Sequence, residues 1–175
     1  MKKINVMQAS YDKFTQEDVN EYHNDISRLM KQAQRKGNES VIELERKLCR
    51  EDLYYLLVYA LGLDIMYCSE TEKEVNFRPW LFNRCREVQA DPDFHVDIWA
   101  RGHFKSTIIT LGKTIQDILI NPEIAICIYS YNASTAKSFV GQIKSNLENS
   151  KIKELFPDII PDSTCLLYTS DAADD

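Results

Sequence analysis

Val19, Tyr22, Ile26, Leu29 and Ala33 recur at spacings of three and four, so they fall on one face of a helix. Thr15-Gln-Glu-Asp18 stands directly ahead of them in the form of a capping box. Gly37-Asn38 closes this helix. A second pattern begins near Glu39 or Ser40 and carries Val41, Leu44, Leu48, Leu53, Leu56, Leu57, Ala60 and Leu61, with Gly62 as its C-terminal stop. Both belong to a helical lead-in over residues 1–68. Its apolar faces either pack within one domain or dock another subunit.

Ser69 to Glu74 is polar and mostly acidic, the composition of a solvated loop. Pro79 suits the first turn of a short helix bearing Trp80, Leu81, Cys85 and Val88. Asp91-Pro92-Asp93 predicts a turn, and Phe94 to Trp99, rich in aromatic and β-branched residues, predicts a strand. From Lys105 the period changes: Ile108, Leu111, Ile115, Ile118 and Leu119 mark a helix that Asn121-Pro122 stops. Ile124 to Ser130 is a nearly continuous apolar run, the pattern of a strand covered on both faces. Another helix follows, with Ala133, Ala136, Phe139, Val140, Ile143 and Leu147 on one face. Strand, helix, strand, helix predicts an α/β fold with a parallel sheet and flanking helices over residues 69–164, behind the helical lead-in.

Composition narrows the picture. The chain has 175 residues, 44% hydrophobic and 27% charged, which is the balance of a folded domain rather than of a disordered chain. Its net charge of −6 argues against coating nucleic acid by bulk charge, so any DNA contact has to come from a local patch. Cys49, Cys68, Cys85, Cys127 and Cys165 follow neither a zinc-site spacing nor a disulfide framework. The longest uncharged apolar stretch, Leu53 to Leu63, has 11 residues, short of the roughly 18 needed to cross a bilayer. No apolar core follows Met1-Lys2-Lys3, so no signal peptide is read and the expected location is intracellular.

The last eleven residues, Cys165 to Asp175, match the translation of a transposon-end sequencing adapter and are read as an artefact; an exposed acidic tail is the alternative. Leaving out Asp171, Asp174 and Asp175 takes the formal charge from −6 to −3. The natural chain is then expected to continue beyond Thr164.

The chemistry concentrates between the first expected strand and the helix that follows it, in Ala100-Arg-Gly-His-Phe-Lys-Ser-Thr107. A loop that ends in Lys-Ser-Thr at a helix start has the context of a phosphate-binding loop. Backbone N–H groups and the helix dipole favour an anion there, and a lysine amine neutralises phosphate charge. The usual pattern places glycine where this chain has Trp99 and Phe104, leaving Gly102 as the loop's own glycine.

The string Arg101-Gly-His-Phe-Lys-Ser-Thr107 resembles the deviant Walker A loop of tailed-phage terminase large subunits, the ATPases that package DNA. The resemblance continues through Ile118 to Pro122, Tyr129-Ser130, Ala136 to Phe139, Ile143-Lys144, Leu147-Glu148 and Leu155 to Asp158, covering about residues 53–158. It implies a P-loop NTPase-type parallel sheet with ATP and Mg2+ as cofactors. Arg101 and Lys105 would be the catalytic residues, Arg101 sensing the γ-phosphate and Lys105 contacting the β/γ-phosphates. Gly102, His103, Phe104, Lys105, Ser106 and Thr107 would line the nucleotide, and Ser106 would hold the metal. Trp80 would either stack on adenine or pack in the interior, the second being the better reading. Asp97 remains without a role.

The resemblance also implies partners: double-stranded DNA, a portal protein, a small terminase subunit, and further copies of the chain in a ring. The place of action would be the host cytoplasm and, transiently, the procapsid portal. An acid-bearing Walker B strand and a nuclease are absent before Thr164. A sheet lacking that strand would leave an open edge, with poor solubility and no steady-state hydrolysis expected. Two alternatives stand beside packaging: another helicase-like ATPase, and a non-catalytic nucleotide-binding interaction protein.

Overall fold

The computed structural model describes residues 14–62, 79–90, 97–99, 102 and 104–160. Among them 75% are helical and none lies in a strand. Helix α1 (Gln16–Lys36) begins at Thr15, whose side chain accepts from the Asp18 N–H while Asp18 Oδ2 accepts from the Thr15 N–H at 2.7 Å. Both arms of the expected capping box are therefore formed. Val19, Tyr22, Ile26 and Ala33 are buried, and Leu29 on the same face is half-buried.

Gly37, at φ +120°, makes the break that an L side chain resists. Helix α2 (Asn38–Glu51) starts immediately after it. Tyr22 and Asp52, thirty residues apart and centred on this glycine, meet through a 2.8 Å hydrogen bond, so α1 and α2 form a hairpin.

The second helical pattern does not run unbroken to Leu61. Asp52 leaves the helix at φ −133° and ψ 103°, and its carboxylate accepts from the Tyr55 N–H at 3.0 Å, capping a new start. Helix α3 (Leu53–Tyr55) passes into a π-helical turn, π1 (Leu56–Ala60), where the Leu61 N–H reaches back to the Leu56 carbonyl. Gly62, at φ +54°, follows as the expected stop. Helix α4 (Pro79–Ala90) buries Leu81, Cys85 and Val88 as its pattern predicts, together with Phe82 and Arg86.

The helix expected from Lys105 is present as a π-helical stretch, π2 (Ser106–Lys113), continuing into α5 (Thr114–Ile120), with Asn121 as its cap. Ile108, Leu111, Ile115 and Leu119 are buried. Gly112 sits where π2 crosses π1: a Cβ there would lie 2.6 Å from Leu57 Cδ2. Helices α6 (Ala133–Leu147) and α7 (Ser150–Leu155) complete the described elements. One core joins Val19, Tyr22, Leu53, Leu56, Phe82, Ile108, Ile115, Ile152 and Phe156, so residues on both sides of position 68 share it.

The parallel α/β sheet is overturned by this arrangement. Residues 97–99 and 124–130 are irregular rather than strands, and 94–96 lie outside the described residues. Among the described residues helix α6 accordingly has no sheet to cover, and of its predicted face only Ile143 is buried while Val140 is 54% exposed. The reason is physical. A strand satisfies its backbone only through neighbours, and two strand-like runs make at best a two-stranded pair, marginal in water. Helices satisfy their backbones alone and need only a shared apolar face.

Candidate functional site

The loop ahead of π2 is built from two left-handed backbone positions. Gly102 has φ +78° and Phe104 has φ +53°. Glycine adopts such angles freely, whereas phenylalanine is strained there. Position 104 is where the usual phosphate-loop pattern carries its second glycine, and here a phenylalanine takes a left-handed backbone that glycine would adopt without strain. Burial offsets the strain: the Phe104 ring packs against the core and lies 6.4 Å, centroid to centroid, from the Trp80 ring. Trp80 itself is half-buried against the core, which is the packing role weighed for it. The Arg84 guanidinium lies 5.9 Å from the centre of the Trp99 ring, so two tryptophans, Phe104 and α4 form the wall behind the loop.

Lys105 and Ser106 are exposed in the first turn, Thr107 is half-buried, and Gly102 is exposed. The Lys105 ammonium reaches the Asp97 carbonyl at 3.5 Å, a long and solvent-exposed contact that an anion could replace. The Phe104 carbonyl already accepts from the Ile108 N–H at 2.9 Å, so it belongs to the helix. Arg101 and His103 lie outside the described residues. Among its described residues the loop thus brings together the Lys105 cation, two hydroxyls and a helix start whose first amides have no acceptor within the helix. These groups suit a phosphate. Among the described residues no cluster of three His, Cys, Asp or Glu side chains is placed to hold a metal ion.

Two other polar groupings escaped the sequence pattern. Asp52 Oδ2 accepts from Arg86 Nη2 and from the Tyr22 hydroxyl, both at 2.8 Å, in the interior. Burial pulls the Arg86 guanidinium toward losing its proton, and Asp52 more than reverses this, so its pKa is raised. Burial drives the Tyr22 hydroxyl far above its ordinary value, with Asp52 adding to the effect. An aspartate ahead of Leu53-Tyr54-Tyr55 is a legible cap signal, but nothing local announces Arg86 as its partner.

The second grouping is around His23, which bridges the hydroxyls of Tyr59, through Nδ1, and Tyr54, through Nε2 at 3.1 Å. Burial lowers its pKa below 6.5. Burial also pushes the Cys49 thiol up to about 12, and raises Cys85 further, so neither has the character of a nucleophile.

A groove of about 710 Å³ lies apart from the loop, beside the α1–α2 junction, lined by Lys36, Glu39, Ser40, Ile42, Glu43 and Arg46. Its mixed charges select no ligand class. No described helix is long and apolar enough to cross a membrane. In comparisons with protein-family models, curated proteins and solved structures, none matches this chain.

Proposed function

We propose that this chain is the N-terminal part of a terminase-type DNA-packaging ATPase and that the segment Arg101 to Thr107 binds the triphosphate of ATP with Mg2+. One observation carries the proposal: Lys105 and Ser106 are exposed side by side in a helical first turn, directly after two left-handed residues at positions 102 and 104. In this assignment Lys105 contacts the β/γ-phosphates, Ser106 holds the metal, Thr107 lies beside the phosphates, and Arg101 senses the γ-phosphate. Gly102, His103 and Phe104 shape the loop. Mg2+ supplies charge neutralisation between phosphate oxygens when bound. The portal protein, the small terminase subunit, double-stranded DNA, a ring of copies, and action in the host cytoplasm at the procapsid portal follow from the resemblance.

A second reading is a nucleotide-binding interaction protein that binds without turnover, and the glycines that the loop lacks at positions 99 and 104 support it. Titration with a fluorescent ATP analogue tests the binding step in both. Lys105→Ala should weaken binding by about tenfold or more, the size of a lost charge-assisted contact. Wild type and variant binding alike would overturn the phosphate assignment. Single-turnover hydrolysis then separates the motor from the non-catalytic binder.

A further inference from the structure

The usual phosphate-loop pattern has glycine at the positions of Trp99 and Phe104, and both of these large side chains meet helix α4. The Phe104 ring lies 6.4 Å from the Trp80 ring at an angle of 59°, within the range of a favourable aromatic pair. The Trp99 ring lies 5.9 Å from the Arg84 guanidinium, a cation–π distance. Trp80 and Arg84 stand four residues apart, so one face of α4 meets the chain at both ends of the loop. That face is itself fixed. Leu81, Phe82 and Cys85 beside it are fully buried, and the Asn83 amide donates to the Pro79 carbonyl at 2.7 Å and to the Phe14 carbonyl at 2.9 Å.

Phe104 needs that support twice over. Its backbone is left-handed at φ +53°, and its carbonyl accepts from the Ile108 N–H, which puts it at the helix start, where serine or aspartate would cap the free amides and a phenyl ring cannot. Both costs fall on one residue, and its ring reaches Trp80. Without the contact a negative φ gains population at position 104, and Lys105 and Ser106, the next two residues, turn with it. We propose that Trp80 and Arg84 are positioning residues for the segment that binds phosphate, α4 holding by side chains the two loop ends that glycines usually shape. The inference rests on the phosphate reading of Lys105 and Ser106. Trp80 acts through Phe104, and Arg84 acts through Trp99. Apparent affinity scales with the fraction of chains whose loop has the binding conformation, so loosening either end weakens binding without removing a ligand contact.

The test titrates the full chain with the fluorescent ATP analogue, at a temperature where circular dichroism shows each variant folded. Trp80→Ala should weaken binding about fivefold and Arg84→Met about threefold. On a Phe104→Gly background, where the left-handed backbone carries no strain, Trp80→Ala should change affinity by less than about twofold. Arg84→Met should be equally silent on a Trp99→Leu background. Trp80→Phe keeps a ring and should retain most of the affinity, whereas Trp80→Leu should behave as the alanine variant and takes its place if that variant does not fold. A purely structural role would lower the thermal midpoint and leave the affinity of the folded protein unchanged, and this result would overturn the proposal. Equal losses on both backgrounds, in either pair, would overturn it too, because the α4 residue would then contact the ligand itself. Lys105→Ala, titrated alongside, separates the two failures. If it weakens binding while Trp80→Ala and Arg84→Met do not, the phosphate reading stands and the positioning role falls; if it binds as wild type does, both fall.

Discussion

Asp52 and Arg86 form a buried ion pair, Oδ2 to Nη2 at 2.8 Å, that ties the end of the α1–α2 hairpin to helix α4. Asp52 is well served: besides Arg86 it accepts from the Tyr22 hydroxyl and the Tyr55 N–H. Arg86 is served less evenly. Its Nε is buried without a hydrogen-bond partner among the described residues, and its guanidinium lies 4.5 Å from the centre of the Phe82 ring. Removing one charge leaves the other stranded, which is worse than removing both.

Asp52→Ala should therefore cost about 3–5 kcal/mol, read as a lowered urea midpoint. Asp52→Ala combined with Arg86→Met should cost less than the sum of the two single changes. Additivity would show that the two residues do not act as a pair.

Gly112→Ala should destabilise by crowding Leu57. The new methyl would stand 2.6 Å from Leu57 Cδ2 and 3.2 Å from the Thr107 carbonyl, so the fully buried Leu57 side chain would have to shift within the core. A loss of about 1–3 kcal/mol is expected. Leu57→Ala in the same chain should recover part of the effect, and thermal denaturation of the four combinations measures it.

Phe104 has a left-handed backbone at the position where the phosphate-loop pattern has glycine. Phe104→Gly relieves strain of about 1–2 kcal/mol and keeps the loop path, at the loss of ring packing. Phe104→Val loses packing and strains the backbone as well, since branching at Cβ disfavours that conformation. Affinity for the ATP analogue should thus be retained by the glycine variant and lost by the valine variant. The opposite order would show that the ring, not the backbone, shapes the site.

His23 makes stability depend on pH. Its folded pKa lies below the unfolded value of 6.5 because burial disfavours the charged ring. Between the two values the unfolded chain binds more protons, so stability falls as pH drops below about 6.5 and levels off beneath the folded pKa. His23→Gln should flatten this part of the profile, with thermal midpoints recorded across it as the measurement.

Thiol labelling should sort the cysteines by environment. At neutral pH Cys127, which is exposed, reacts with a maleimide promptly. Cys49 and Cys85 react only after denaturation, because burial suppresses their thiolates. Prompt labelling of Cys85 would mean that α4 leaves the core far more readily than its packing implies.

The sequence by itself determined the features that depend on neighbours within a turn or two. Thr15 and Asp18 cap α1, Gly37 breaks it, Asn121 ends α5, and Leu81, Cys85, Ile108 and Ile115 face inward because a period of 3.6 is written into the chain. The order Lys105-Ser106-Thr107 at a helix start was legible for the same reason. Tertiary structure alone decided what needs a remote partner: the pairing of Asp52 with Arg86, the left-handed Phe104 propped by Trp80, and the fate of residues 124–130. A helix closes its hydrogen bonds within four residues, so its pattern is sufficient. A strand closes them across space, and an apolar β-branched run becomes a strand only where another one lies beside it.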